Sequence, residues 1–78
     1  MNGQQLTAQI KKMAEAARVT VRNARRDGNK TVDQQEKDSD LTEDQAKQAK
    51  EEIQKLTDRY EAMIDKILQE KTKEIQET

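Results

Sequence analysis

Apolar residues recur along the first half of the chain at alternating spacings of four and three, which stacks them along one side of an α-helix. These residues are Leu6, Ile10, Met13, Ala17, Val21 and Ala24. The second half repeats the spacing with Ala46, Ala49, Ile53, Leu56, Tyr60, Met63 and Ile67, and Ile64, Leu68 and Ile75 widen its apolar face. A face of that width suits a helical bundle better than a narrow two-stranded seam. The pattern predicts two long amphipathic helices.

The polar run between the two halves predicts a turn, and Thr42 and Gln45 have the spacing of a helix-starting capping box. We therefore expect one all-α unit over residues 1–78, an antiparallel hairpin of two long helices, coiled-coil-like and part of a helical bundle. The expected helices cover about 5–37 and about 42–76, with the turn at about 38–41.

The sequence Asp27-Gly28-Asn29 leaves two possibilities for the first helix. Either the helix stops near Asp27, or it continues to Lys37 and accepts a glycine that costs about 1 kcal/mol. Periodicity does not choose between them. A long structureless connection is uncommon in compact domains, so we favour the continuous helix.

Composition excludes most enzyme chemistry. The chain has no Cys, His or Trp, so it lacks the residues for thiolate or imidazole metal sites and for nucleophile–imidazole pairs. We expect no enzyme, no catalytic residue, no metal, no cofactor and no small-molecule substrate.

No apolar run approaches the roughly 18 residues of a membrane span, and Met1 precedes polar residues, so we expect a cytoplasmic protein without membrane contact.

Charge is distributed unevenly although the net charge is only −1, because residues 1–30 are basic and residues 31–78 are acidic. Arg18, Arg22, Arg25 and Arg26 form an arginine stripe within a helical sector of roughly 100°, centred about 125° from the apolar stripe. Asn29 and Lys30 extend this surface. The arginines either pair with acidic residues of the second helix or bind phosphate oxygens through their guanidinium forks.

The single aromatic residue, Tyr60, lies in the apolar stripe of the other helix, so base stacking on the basic helix is not expected. If the arginine stripe binds nucleic acid, backbone recognition of structured RNA fits the residues better.

The run from Ala17 to Asp27, ARVTVRNARRD, closely resembles the R-V-x-V-R-N-x-R-R-D signature of ribosome recycling factors. The resemblance continues through residues 41–44 (LTED) and 53–58 (IQKLTD). It implies two helices of a three-helix bundle whose arginine face lies on large-subunit ribosomal RNA, with Arg22, Arg25 and Arg26 at the family's RNA-contacting positions. The family's first helix and β-rich second domain precede this region and are not among these 78 residues, which puts ribosome splitting in doubt.

Two functional hypotheses follow. The first is a ribosome-recycling-factor-like module of translation that binds large-subunit ribosomal RNA through Arg18, Arg22, Arg25, Arg26, Asn29 and Lys30. The alternative is a structural, self-associating helical hairpin without a role in RNA binding. One helix packed on another cannot cover both apolar faces, so a homodimer related by two-fold symmetry is also expected.

Overall fold

The computed structural model describes residues 2–77, which form two α-helices of 35 residues each. Helix α1 covers Gly3–Lys37 and helix α2 covers Glu43–Glu77. The helices run antiparallel, with Gly3 beside Ile75 and Gly28 beside Ile53, in a molecule 56 × 16 × 9 Å in extent. The predicted fold class, an all-α hairpin of two long helices, is confirmed. The first and last residues of the predicted unit, Met1 and Thr78, lie outside the described residues.

Both helices begin with a capping box. In α2, Thr42 Oγ1 accepts a hydrogen bond from the backbone N–H of Gln45 at 3.1 Å. In return, Gln45 Oε1 accepts from the backbone N–H of Thr42 at 2.9 Å, as the sequence predicts. In α1, Asn2 Oδ1 accepts from the Gln5 amide at 2.9 Å and Gln5 Oε1 accepts in return at 3.3 Å. The capping box of α1 satisfies backbone N–H groups that the first helical turn leaves free. It also starts α1 earlier than the apolar pattern suggests.

Helix α1 passes through Gly28 without interruption, so the continuous helix that the sequence favoured is the one observed. The glycine has a packing role there. A Cβ at Gly28 would lie 3.1 Å from Cδ1 of Ile53, closer than ordinary van der Waals contact. The missing side chain leaves room for the Ile53 side chain of α2 at this level.

Helix α1 ends in a Schellman motif that turns the chain into α2. The Ser39 amide donates to Glu36 O at 3.0 Å, and the Asp40 amide donates to Gln35 O at 2.8 Å. Ser39 has φ 62°, the left-handed conformation that this position requires. The motif satisfies carbonyl groups at the helix end and fixes the direction in which the chain leaves α1.

Small side chains mark the closest contact between the helices. Within residues 2–77 the buried residues are Ala14, Val32, Ala46 and Thr57, and the Thr57 hydroxyl donates to Ile53 O at 2.8 Å. By contrast Met13, the neighbour of Ala14, is 65% exposed. The contact is therefore rotated away from the centre of the predicted apolar stripes, because small residues permit a closer approach of two helix backbones than Met or Leu does.

The large apolar side chains lie mainly on one side of the hairpin and form an apolar face. Its exposed members are Leu6, Met13, Leu56, Tyr60, Met63 and Ile67. Two clefts between the helices open onto this side, one bordered by Val21, Ile53 and Tyr60 and the other by Ile10, Ile64 and Leu68. The expectation that one helix cannot cover the apolar residues of the other is confirmed.

Candidate nucleic-acid interface

The predicted contact residues occupy four turns of α1, from Arg18 to Lys30, and helical periodicity determines which of them face α2. Arg18 and Arg25 point toward the second helix, and the Arg18 side chain is only 25% exposed. Arg26 and Lys30 are exposed. The predicted contact residues therefore lie along one helix but differ in exposure. Arg18 and Arg25 are partly covered by α2, whereas Arg26 and Lys30 are exposed to solvent.

Arg18 and Arg22 are held by two carboxylates. Arg18 Nη2 donates to Asp65 Oδ1 on α2 at 2.7 Å, and its Nη1 lies 3.5 Å from Glu15 Oε2. Arg22 Nη2 donates to Glu15 Oε1 at 2.9 Å. These four residues form a continuous ion-pair chain in the order Asp65, Arg18, Glu15, Arg22.

The ion pairs shift the pKa values of Glu15 and Arg18. The hydrogen bond from Arg22 is the largest cause that lowers the pKa of the Glu15 carboxyl, against an opposing effect of burial. The hydrogen bond to Asp65 is the largest cause that raises the pKa of the Arg18 guanidinium. Both shifts favour the charged forms of Glu15 and Arg18.

Arg25 and Asn29 are only partly exposed. The Nε of Arg25 and the Oδ1 of Asn29 are buried and have no hydrogen-bond partner among the described residues. Arg25 also borders the cleft formed with Ile53 and Tyr60. The Arg25 side chain is thus partly covered by α2, and the Asn29 amide oxygen is buried rather than exposed to solvent.

Arg26 and Lys30 are the freest cations of the set. Both are exposed, and neither has an ion pair within residues 2–77. They stand one helical turn apart, so their charged groups project from the same side of α1. This pair is the part of the predicted surface that is open to an anion without any rearrangement.

Neither Asp65 nor Glu15 was identified from the sequence as a partner of the arginines. Glu15 precedes Arg18 by three residues and Arg22 by seven, a spacing that places all three on one helix side. Asp65 follows Arg18 by 47 positions, so only the register between the helices brings it into contact. The spacing could have indicated Glu15, whereas nothing local indicates Asp65.

Residues 2–77 contain no group of three or more Asp or Glu side chains placed to hold a metal ion. Neither helix is apolar enough over a sufficient length to cross a membrane.

The family model for ribosome recycling factor matches residues 2–75. The chain belongs to the ribosome recycling factor family. Among curated ribosome-recycling factors, the chain is 49% identical to that of Alkaliphilus metalliredigens over 73 residues, which is 94% of this chain and 40% of the relative. It is 49% identical to the factor of a Synechococcus species over 71 residues, 91% of this chain and 39% of the relative.

The ribosome-recycling factor of Bacillus subtilis is 47% identical over 73 residues, 94% of this chain and 40% of the relative. The chain thus spans about 40% of the length of the ribosome recycling factors that it matches. No solved structure matches the chain significantly. Membership of the family is established over nearly the whole chain, including the arginine stripe and its carboxylate partners.

Proposed function

We propose that this chain is a ribosome-binding module that acts in ribosome recycling during translation. It does so by binding the phosphates of large-subunit ribosomal RNA. The observation that carries the proposal is the arginine stripe itself, on one helix of a chain that belongs to the ribosome recycling factor family. The proposed contact residues are Arg18, Arg22, Arg25, Arg26, Asn29 and Lys30. The proposed role is binding rather than catalysis.

Phosphate recognition follows from the chemistry of these side chains. A guanidinium presents paired N–H donors that match two phosphate oxygens, and each cation that neutralises a phosphate also releases condensed counterions. Arg26 and Lys30 are exposed and free of ion pairs within residues 2–77, so they are the first groups that a phosphate backbone would meet. Contacts of this kind hold RNA by its backbone and carry no direct base information.

The test compares two double variants with the same change of charge. Arg26→Gln with Lys30→Gln removes the free cations of α1, and Arg59→Gln with Lys66→Gln removes one Arg and one Lys from α2. Arg59 and Lys66 are also exposed and without an ion pair in the described chain. Gln is close to Arg and Lys in helix propensity, so both variants keep the hairpin.

Affinity for deproteinised large-subunit ribosomal RNA is measured over a series of salt concentrations. The Arg26/Lys30 variant should lose on the order of tenfold in affinity. Its salt dependence should become less steep by somewhat under one unit for each lost contact. The Arg59/Lys66 variant should stay close to the unmodified chain. Equal losses of affinity in both variants would mean that RNA is attracted by positive charge in general and not by a specific site. No loss of affinity in either variant would mean that the arginine stripe does not bind the RNA.

A second function, self-association as a helical hairpin, is favoured by a separate observation, the exposed apolar face. Met13, a member of that face, lies five residues before Arg18, which corresponds to about 140° around the helix. The two surfaces therefore point in different directions. Self-association and RNA binding would use different sides of the same hairpin, so a test of one does not decide the other.

A further inference from the structure

The two carboxylates of the ion-pair chain occupy donors that an RNA phosphate would use. Arg18 directs both terminal nitrogens at carboxylate oxygens, Nη2 at Asp65 and Nη1 at Glu15. Arg22 uses its Nη2 for Glu15. The side chains are partly covered as a result, with 25% of Arg18 and 36% of Arg22 exposed.

A carboxylate and a phosphate are competing acceptors for a guanidinium. Both are anions that bind its N–H donors in a forked geometry, so one must move or share donors when the other arrives. A carboxylate that stays in place also repels an incoming phosphate. The lowered pKa of Glu15 extends this repulsion to a more acidic pH than an ordinary glutamate would. Arg18 and Arg22 are therefore weaker phosphate ligands than the unpaired Arg26.

We propose that Glu15 and Asp65 limit the affinity of the arginine stripe for RNA phosphates by holding Arg18 and Arg22 in competing ion pairs. The inference rests on the proposed RNA-binding function and names the residues that regulate the strength of that site. Phosphates first engage Arg26 and Lys30, and Arg18 and Arg22 join only when their carboxylates release them.

The two carboxylates differ in what else they hold. Asp65 stands on α2, so its bond to Arg18 also ties the two helices together. Glu15 stands on α1 with both of its arginine partners, so its loss leaves the contact between the helices intact. Glu15→Gln is therefore the cleaner variant. Asp65→Asn is the second variant, and its helicity is measured alongside its RNA affinity.

The control is Glu74→Gln, which makes the same charge change and also breaks an exposed pair, Lys71 with Glu74 at 3.3 Å. Glu74 lies nine residues beyond Asp65 on α2, about 14 Å along the helix axis. This distance exceeds the Debye length of about 8 Å at physiological salt, so the change in charge there is screened from the arginine stripe.

Glu15→Gln should bind deproteinised large-subunit ribosomal RNA about three- to tenfold more tightly than the unmodified chain, with a salt dependence steeper by up to about 0.9 units for each arginine released. Glu74→Gln should leave both quantities nearly unchanged. Carbon-13 NMR of the side-chain carboxyls tests the ion pair itself, because Arg22→Ala should raise the pKa of Glu15 back toward its ordinary value.

Weaker binding by Glu15→Gln would overturn the inference, since the carboxylate would then be positioning the arginines rather than competing for them. Unchanged binding by Glu15→Gln, alongside a loss in the Arg26/Lys30 variant, would also overturn it while leaving the proposed function standing. Absence of RNA binding in the unmodified chain would overturn the proposed function, and the inference with it.

Discussion

Ser39 adopts φ 62° at the position after the C-cap of α1, where a side chain is disfavoured and glycine is the common residue. Ser39→Gly should therefore stabilise the hairpin by about 0.5–1 kcal/mol, because relief of the strained conformation outweighs the larger entropy of glycine in the unfolded chain. Urea denaturation followed by circular dichroism measures the change. Ser39→Ala keeps the Cβ and should bring no gain, so equal stabilisation by Ala and Gly would contradict the explanation.

At the residue scale, the sequence indicates the basic sector of α1 but not every ion-pair partner of its arginines. The spacing of the arginines identifies a basic sector of α1, and the alternative of ion pairs with the acidic second helix is observed for Arg18 with Asp65. The partner of Arg22 is Glu15 on its own helix. Spacing along α1 is enough to indicate the pair of Arg22 with Glu15. It cannot indicate the pair of Arg18 with Asp65, because a contact across the hairpin depends on the register and rotation of two helices.

At the scale of the element, Gly28→Ala tests whether helix propensity or close packing dominates in the middle of α1. Alanine gains about 1 kcal/mol over glycine inside a helix. Its Cβ would lie 3.1 Å from Cδ1 of Ile53, so that side chain must shift by a few tenths of an ångström. Ile53 is half-buried beside an open cleft and can turn, so we expect a net stabilisation smaller than the propensity gain.

A double-mutant cycle with Ile53→Val separates the two effects. Valine lacks Cδ1, so Gly28→Ala should stabilise the Ile53→Val background by more than it stabilises the unmodified chain, and the difference is the energy of the close contact. Free energies of unfolding from urea titrations supply the four corners of the cycle. Destabilisation by Gly28→Ala in both backgrounds would show that the approach of the backbones, rather than Cδ1 of Ile53, is the limit.

The helices themselves follow from the sequence because their signals are local. Apolar period, the Thr42 capping box and the improbability of a long loop predict α2 and the continuity of α1. The rotation of the helices about their axes does not follow in the same way. The apolar period identifies Met13 and Leu56 as members of apolar stripes, yet both are exposed and their neighbours Ala14 and Thr57 are buried. Which residues meet depends on how closely two backbones can approach, and small side chains decide that.

As a whole molecule, the hairpin is a single layer of two helices with two unlike sides. One side carries the ion-pair chain from Asp65 to Arg22, and the other carries the apolar face. Two helices in one layer can shield only the strip between them, so large side chains beside that strip stay in water. Leu56, Tyr60 and Met63 each remain about half exposed, at 49%, 51% and 48%. Contiguous apolar surface of this kind is typical of an interaction surface.

We expect the 78-residue chain to form a homodimer through the apolar face, because a second copy presents the same face in a two-fold arrangement and completes a four-helix bundle. Covering a half-exposed Leu, Met or Tyr gains on the order of 1 kcal/mol. The cost of association offsets a large part of the summed gain, so the dimer should be weak, with a Kd of about micromolar or above.

Sedimentation velocity and thermal melting over a concentration series measure this association, with melting temperature rising as the concentration rises. Leu56→Gln with Met63→Gln should leave a monomer at every concentration. The matched control is Val19→Gln, which removes an apolar side chain that is 42% exposed but lies outside the apolar face, and it should dimerise like the unmodified chain. A fully helical monomer at all concentrations would defeat the prediction, because the half-exposed side chains would then be tolerated in water without a partner.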